Sequence, residues 1–223
     1  LAQSALTQLD DLTGTELEAA ETALFRQAIM ESVRATMWLG KTAREEGLNT
    51  FDGFLHRILS DAEEQEIPTE MYESVSADNA DERLRSVWDN ASEELRNMRS
   101  EGQLAFFVTT DVYGAYEDSL EAADNEAAYR VRQDGPGSLM FKGIPVIDMK
   151  LGGYLAKYYD LGVSFILLTD RRNLALALNT GDFPGSEVRM WYNPDLMENR
   201  QRAIFMAGCD YLLPELVSLG YAQ

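Results

Sequence analysis

Gln103-Leu-Ala-Phe-Phe-Val-Thr-Thr110 marks a change of texture along the chain. Before it the sequence is acidic and helical in pattern; from it onward, short apolar runs are set between Gly, Pro and Asp. Its aromatic and β-branched residues suit a pleated strand and lose rotamer freedom in a helix, so it predicts a buried strand. Working forward, Asp111 to Ala123 predicts a helix capped by Thr110 or Asp111. Leu139–Phe141, Gly143–Asp148, Val163–Thr169 and Glu187–Tyr192 predict further strands, Gln133–Ser138 a turn, and Arg200–Leu213 either strand or helix. Working backward, Leu84, Trp88, Ala91, Leu95 and Met98 recur every three or four residues, which predicts one helix over about 80–100, capped by Asp78 or Asn79. Helices first, then mixed strands and a helix, describe an α+β fold and not an alternating βαβ one.

Further upstream, residues 1–14 are polar, end at Gly14, and read as an extended arm. Thr15, with Glu18 three positions on, predicts a capping box. A helix is expected from about 16 to 46, with Phe25, Ile29, Val33 and Met37 on one face and Leu17, Ala20, Leu24 and Ala28 on a flanking one. Apolar residues on two faces predict burial between neighbours or between subunits. Gly47 is the expected C-cap, a short helix is expected to begin within Thr50–Leu59, Asp61–Glu66 reads as an acidic turn, and Pro68 ends it.

Composition excludes several function classes. The 223 residues hold 38 acids and 19 bases, a net charge of −19. Binding nucleic acid through bulk charge needs clustered Lys and Arg, which this balance does not supply. The one cysteine, Cys209, and the one histidine, His56, permit neither a disulfide within the chain nor a Cys/His zinc site. His56 lies in an apolar helical stretch and reads as a packed or surface histidine, and Cys209 among apolar residues reads as a small buried hydrophobe, not as a nucleophile and its base. The common phosphate-cradling glycine motifs are absent, and Asp78–Glu82 does not have calcium-loop spacing. The chain has no apolar run long enough for a transmembrane helix, does not open as a signal peptide, and starts with Leu in place of Met, as a processed product would. Only four lysines accompany fifteen arginines. Acidity with few lysines reads first as a solvated acidic surface, and it also fits a saline setting, where screening removes repulsion between like charges.

Four stretches, read in order, carry a resemblance: Leu104-Ala-Phe-Phe-Val-Thr-Thr-Asp-Val-Tyr113, Ser138-Leu-Met-Phe-Lys-Gly-Ile-Pro-Val-Ile147, Asn199-Arg-Gln-Arg-Ala-Ile-Phe-Met-Ala-Gly208 and Leu213-Pro-Glu-Leu-Val-Ser-Leu-Gly-Tyr221. Between the second and third, Phe165–Leu174 resembles a later strand and turn. Together they resemble the major capsid proteins of tailed bacteriophages, of the Hong Kong 97 fold. The resemblance implies an α+β capsid fold divided as 1–50, arm and long helix; 51–109, peripheral domain with a spine helix at about 80–100; 110–198, mainly an axial domain with a mixed sheet; and 199–223, a C-terminal return segment. It further implies a structural subunit and no enzyme, with no catalytic, cofactor-binding or metal residues and no cofactor. Such a subunit assembles with itself into hexamers and pentamers of an icosahedral virion capsid. The shell encloses double-stranded DNA without sequence-specific binding; portal or cement proteins are further partners, and no membrane is involved. Trp191 and Tyr192, if exposed, and helix 16–46 are the expected interface elements.

One departure stands out. The family places a two-stranded extended loop between arm and spine helix, whereas residues 16–46 read as helix and no hairpin precedes residue 80. The loop is short, lies upstream of Leu1, or is replaced by a helix. Two other readings are kept: an encapsulin-type compartment shell of the same fold, and an acidic α+β hydrolase holding Mg²⁺ or Mn²⁺ through carboxylates.

Overall fold

The structure, a computed structural model, describes residues 14–64, 66–122, 139–154, 164–179 and 188–222. The expected arm up to Thr13 and the turn expected at Gln133–Ser138 lie outside the described residues. In chain order the elements are α1 (Glu16–Leu39), α2 (Phe54–Asp61), β1 (Thr69–Tyr72), α3 (Ala80–Asn90), α4 (Glu93–Asn97), β2 (Leu104–Val108) and α5 (Thr110–Ala122), then β3 (Leu139–Phe141), β4 (Ile144–Asp148), β5 (Phe165–Asp170), β6 (Leu174–Leu178), β7 (Val188–Asn193), β8 (Glu198–Ala203), β9 (Ala207–Tyr211) and β10 (Val217–Ala222). The α+β class is as expected.

Two compact units divide the chain. One comprises the described residues of Leu1–Gly53 and Leu176–Cys209, the other those of Phe54–Ala175 and Asp210–Gln223. Each is therefore built from two separated stretches. The four contiguous segments expected from sequence, bounded at 50, 109 and 198, follow these units only near the first boundary.

The unit holding Phe54–Ala175 is organised by a six-stranded mixed sheet in the order β1-β10-β5-β2-β4-β3. β1 runs parallel to β10, and β2 parallel to β4; the other neighbours are antiparallel. Leu104, Phe106 and Val108 alternate onto one face of β2 and meet Leu84, Val87 and Trp88 of α3 and Val112 and Tyr116 of α5 in one core. Ala105 and Phe107, on the opposite face, are buried too, so β2 is covered on both sides, as its unbroken apolar run predicts. Phe141 packs edge-on against Phe106 and Tyr116, with centroids at 5.6 and 6.2 Å. Burying an aromatic side chain of this kind stabilises by roughly 2–3 kcal/mol.

The helix expected over 80–100 is broken. α3 stops at Asn90, Ala91 is extended, and Ser92 caps α4 by accepting from Leu95 N at 3.0 Å. A cap side chain offers the backbone an alternative to continuing the helix, and Ser92 followed by two glutamates is a helix start. Ser92 Oγ also donates to Glu215 O at 2.7 Å, which fixes the break to the return segment. Asn79 stands at the N-cap of α3, but its side chain turns back to accept from Ser76 N. The caps expected at Thr110 and Asp111 also do other work. α5 begins at Thr110 itself, whose hydroxyl donates to Asp148 at 2.8 Å, and Asp111 accepts from Ser164 Oγ.

In the other unit, Thr15 caps α1 as expected, accepting from Glu18 N at 3.2 Å, while the Glu18 carboxylate accepts from Gly14 N. The helix ends at Leu39 and not at about 46. Gly40 N closes on Thr36 O at 2.7 Å, and a Cβ on Gly40 would collide with Phe51 O. The chain then folds back on itself: Gly53 N donates to Gly40 O at 2.9 Å, and Thr42 donates to Asp52 through both its backbone N–H and its hydroxyl. Gly47, the expected C-cap, has φ +61° but belongs to this loop. β7 and β8 form an antiparallel two-stranded sheet, and β6 pairs with β9. Arg200–Leu213, expected as strand or helix, thus holds the end of β8 and all of β9, joined by residues 204–206.

Candidate functional site

Exposed side chains of the unit holding α1 are the best-defined candidate for function. β7 and β8 pair from Val188↔Ala203 to Asn193↔Glu198. Strand alternation puts Arg189 and Trp191 on the outer face of β7 and Glu198, Arg200 and Arg202 on that of β8, all exposed. Val188, Met190, Tyr192, Asn199, Gln201 and Ala203 turn the other way and are half-buried. Arg189 lies directly opposite Arg202, and Trp191 opposite Arg200. Arg200 Nε pairs with Glu198 at 2.5 Å. Arg189, Trp191, Arg202 and Ile204 line one shallow recess. Of the expected interface pair, Trp191 is 40% exposed and Tyr192 half-buried, so only the tryptophan is offered outward.

The second feature is α1. Its buried residues, Val33, Ala35, Thr36, Trp38 and Leu39, all lie in the last two turns. Leu24 is 68% exposed, and Met206, beyond β8, is 70% exposed. The expectation of two apolar faces holds in sequence, but among the described residues the buried positions of the helix all lie at its C-terminal end.

The residue types that chemistry would need are placed as follows. Cys209 is buried, and its thiol donates to Met37 O at 3.5 Å and Asp52 O at 3.3 Å. His56 is half-buried in α2. Among the described residues no group of three His, Cys, Asp or Glu side chains is placed to hold a metal ion. Among the described helices none is long and apolar enough to cross a membrane. The best-organised carboxylate is Asp170. It is buried and accepts from the Arg172 guanidinium at 3.0 and 2.7 Å and from Arg172 N at 2.7 Å; Arg172 also pairs with Glu101 at 2.7 Å. Hydrogen bonding from Arg172 holds the Asp170 carboxyl below the usual aspartate range, against the opposing effect of burial. Burial pushes the Tyr116 hydroxyl up to about 12, and it donates to Met140 O at 3.0 Å.

The Gly143-x-Pro145-Val146 element forms a hairpin. Lys142 and Gly143 connect β3 to β4 with φ of +50° and +77°, the two left-handed residues of a type I′ turn. Crowding of a Cβ at Gly143 is not what matters, since the nearest atom, Arg99 Nη2, would lie at an ordinary 3.6 Å. Backbone conformation sets the requirement. Pro145 pairs with Met140 on β3, and the parallel ladder to β2 begins one residue later at Val146, so its missing N–H lies ahead of that ladder. The turn is seated on α3: Lys142 Nζ lies 5.4 Å from the Trp88 ring centroid and 3.7 Å from Asp89. Sequence reasoning missed this contact and the Arg189–Arg202 opposition, because both depend on register and not on local pattern.

No family model matches the chain, and no curated protein matches it. Among solved structures it is similar to a chain of Mycobacterium phage Che8, with a TM-score of 0.46 and 13% identity over 76% of this chain and 57% of that one. The match thus spans a little over half the length of that neighbour.

Proposed function

We propose that the chain is a structural subunit of a tailed-phage virion, the major capsid protein, which assembles with itself into hexamers and pentamers of an icosahedral shell around double-stranded DNA. The observation that carries this reading is the quantity of large apolar side chain left uncovered on an acidic chain. Leu24, Met30, Leu196, Met197, Ile204 and Met206 are each 48–70% exposed in one unit. Exposed apolar side chains support contact with other protein where they adjoin one another, as Trp191 and Ile204 do in one recess. The ordered resemblance of Leu104–Tyr113, Ser138–Ile147, Asn199–Gly208 and Leu213–Tyr221 to capsid proteins supplies the kind of contact.

The spine helix of this reading moves. Ala80–Asn90 is too short and too buried for that part, whereas Glu16–Leu39, about 36 Å long at 1.5 Å per residue, suits it. The unit containing α1, β7 and β8 then takes the peripheral place, and the six-stranded unit the axial place. The role is non-enzymatic: subunits gain by fitting one another, and an acidic shell holds packed DNA by enclosure and not by adhesion. Portal or cement proteins would dock on the finished shell. Electron microscopy of the purified chain tests the reading: closed particles of uniform diameter are expected. A 25 kDa monomer stabilised against heat by Mg²⁺ or Mn²⁺ would favour a hydrolase instead.

A further inference from the structure

A surface helix ordinarily buries one stripe along its whole length. α1 does not. No residue from Glu16 to Ser32 is buried, and Leu17, Leu24 and Met30 are 42%, 68% and 48% exposed. Its opening turns carry Glu16, Glu18 and Glu21, and the first base is Arg26. This is a face both acidic and apolar.

The outer face of β7–β8 is its complement. Arg189 and Arg202 oppose each other directly, an arrangement that destabilises a sheet unless an anion covers it. Neither has an ion-pair partner among the described residues. Trp191, 40% exposed, and Ile204, 57% exposed, flank them. In a chain of net charge −19, two arginines without an ion-pair partner among the described residues, beside exposed apolar side chains, form a local exception.

We propose that these are the two halves of one contact between copies of this chain: the Glu16–Leu24 face of α1 on one copy docks on the Arg189–Trp191–Arg202 face of β7–β8 on the next. The inference rests on the reading of the chain as a self-assembling subunit and names the surfaces that do it. A second copy is the occupant because it supplies both things the face requires: carboxylates for the arginines and apolar side chains for Trp191 and Ile204. A single-stranded nucleic acid offers phosphates to the arginines and a base to Trp191, but the chain as a whole repels a polyanion. Two different faces meet, so the contact is one that can be repeated head-to-tail around a ring, as the self-assembling reading requires. Arginine–glutamate pairs at such a rim chiefly set orientation, and placing like charges there is costly.

The test is a charge swap read by sedimentation velocity. Glu18 is left in place because its carboxylate accepts from Gly14 N. Arg189→Glu/Arg202→Glu and Glu16→Arg/Glu21→Arg should each raise the concentration needed for association by at least about tenfold, and the four changes together should bring it back to within about threefold of the parent chain. Circular dichroism checks that each variant folds. If one does not, mixing Leu24→Cys and Trp191→Cys preparations under oxidation provides the second measurement, with the mixed disulfide expected in preference to either homodimer. Absence of rescue, or of the mixed disulfide, overturns the proposal. So does single-stranded oligonucleotide binding that is lost in Arg189→Glu/Arg202→Glu without any change in association. Rescue that yields open chains and no shells keeps this contact and removes the capsid reading. Shells that form equally well in all four proteins keep the capsid reading and remove this contact.

Discussion

Asn173 has every polar atom of its side chain engaged. Nδ2 donates to Leu213 O at 2.9 Å and Thr169 Oγ1 at 3.2 Å, and Oδ1 accepts from Leu212 N at 3.1 Å and Leu213 N at 2.7 Å. It holds the return segment to the end of β5. Asn173→Ala would orphan buried backbone groups, and urea unfolding should show a loss of about 2–4 kcal/mol. Asp170, three residues before it, makes a pH prediction. Its carboxyl is held below the ordinary range in the folded chain, so its contribution is fully present above the unfolded aspartate value and is lost as pH falls through the folded one. The stability gap between the parent chain and Asp170→Asn should therefore narrow below about pH 4, measured by denaturant midpoints across a pH series; a gap that widens in acid contradicts the assignment. Gly143 gives a third case. A β-branched residue forced to φ +77° should cost on the order of 1–2 kcal/mol, so Gly143→Val lowers the melting temperature and the yield of soluble particles, while Gly143→Asn is milder. Unchanged melting of the valine variant contradicts the turn assignment.

Elements are legible in the sequence where local chemistry decides them. The β2 strand, the Thr15 cap and the β3 and β4 strands each follow from residue type and spacing within a few positions; the two-residue turn that makes β3 and β4 a hairpin appears only in the structure. The ends of the long helices do not, because distant groups set them. Gly40 stops α1 by letting Phe51 O approach, and Ser92 stops α3 with help from Glu215 O. The Ser-Glu-Glu restart signal is present, but the Leu84–Met98 periodicity runs through it. β1 and β10 pair Thr69 with Leu219, far apart along the chain, which no short window reveals. Trp191 is legible as an interface candidate; the arginine opposition beside it requires the register of β7 to β8. Ser92→Ala should cost about 1 kcal/mol through loss of the α4 cap, read as a shift in urea midpoint. An unshifted midpoint would mean that the break is held without its cap.

At the scale of the whole molecule, charge opposes association and apolar surface favours it. Copies of a chain of net charge −19 repel across a Debye length of about 30 Å at 0.01 M salt and only about 3 Å at 1 M. Leu24, Met30, Ile204 and Met206 need no screening to attract a partner, and exposed ion pairs are worth about 1 kcal/mol or less each. Association should therefore rise with NaCl between about 0.05 and 1 M, measured by light scattering; a monotonic fall would mean that arginine–carboxylate pairs dominate the contacts. The most direct test of the capsid reading is electron microscopy of the purified chain at the high end of that series. The account predicts closed, icosahedrally symmetric particles of uniform diameter, and a chain that stays monomeric at every salt concentration would contradict it.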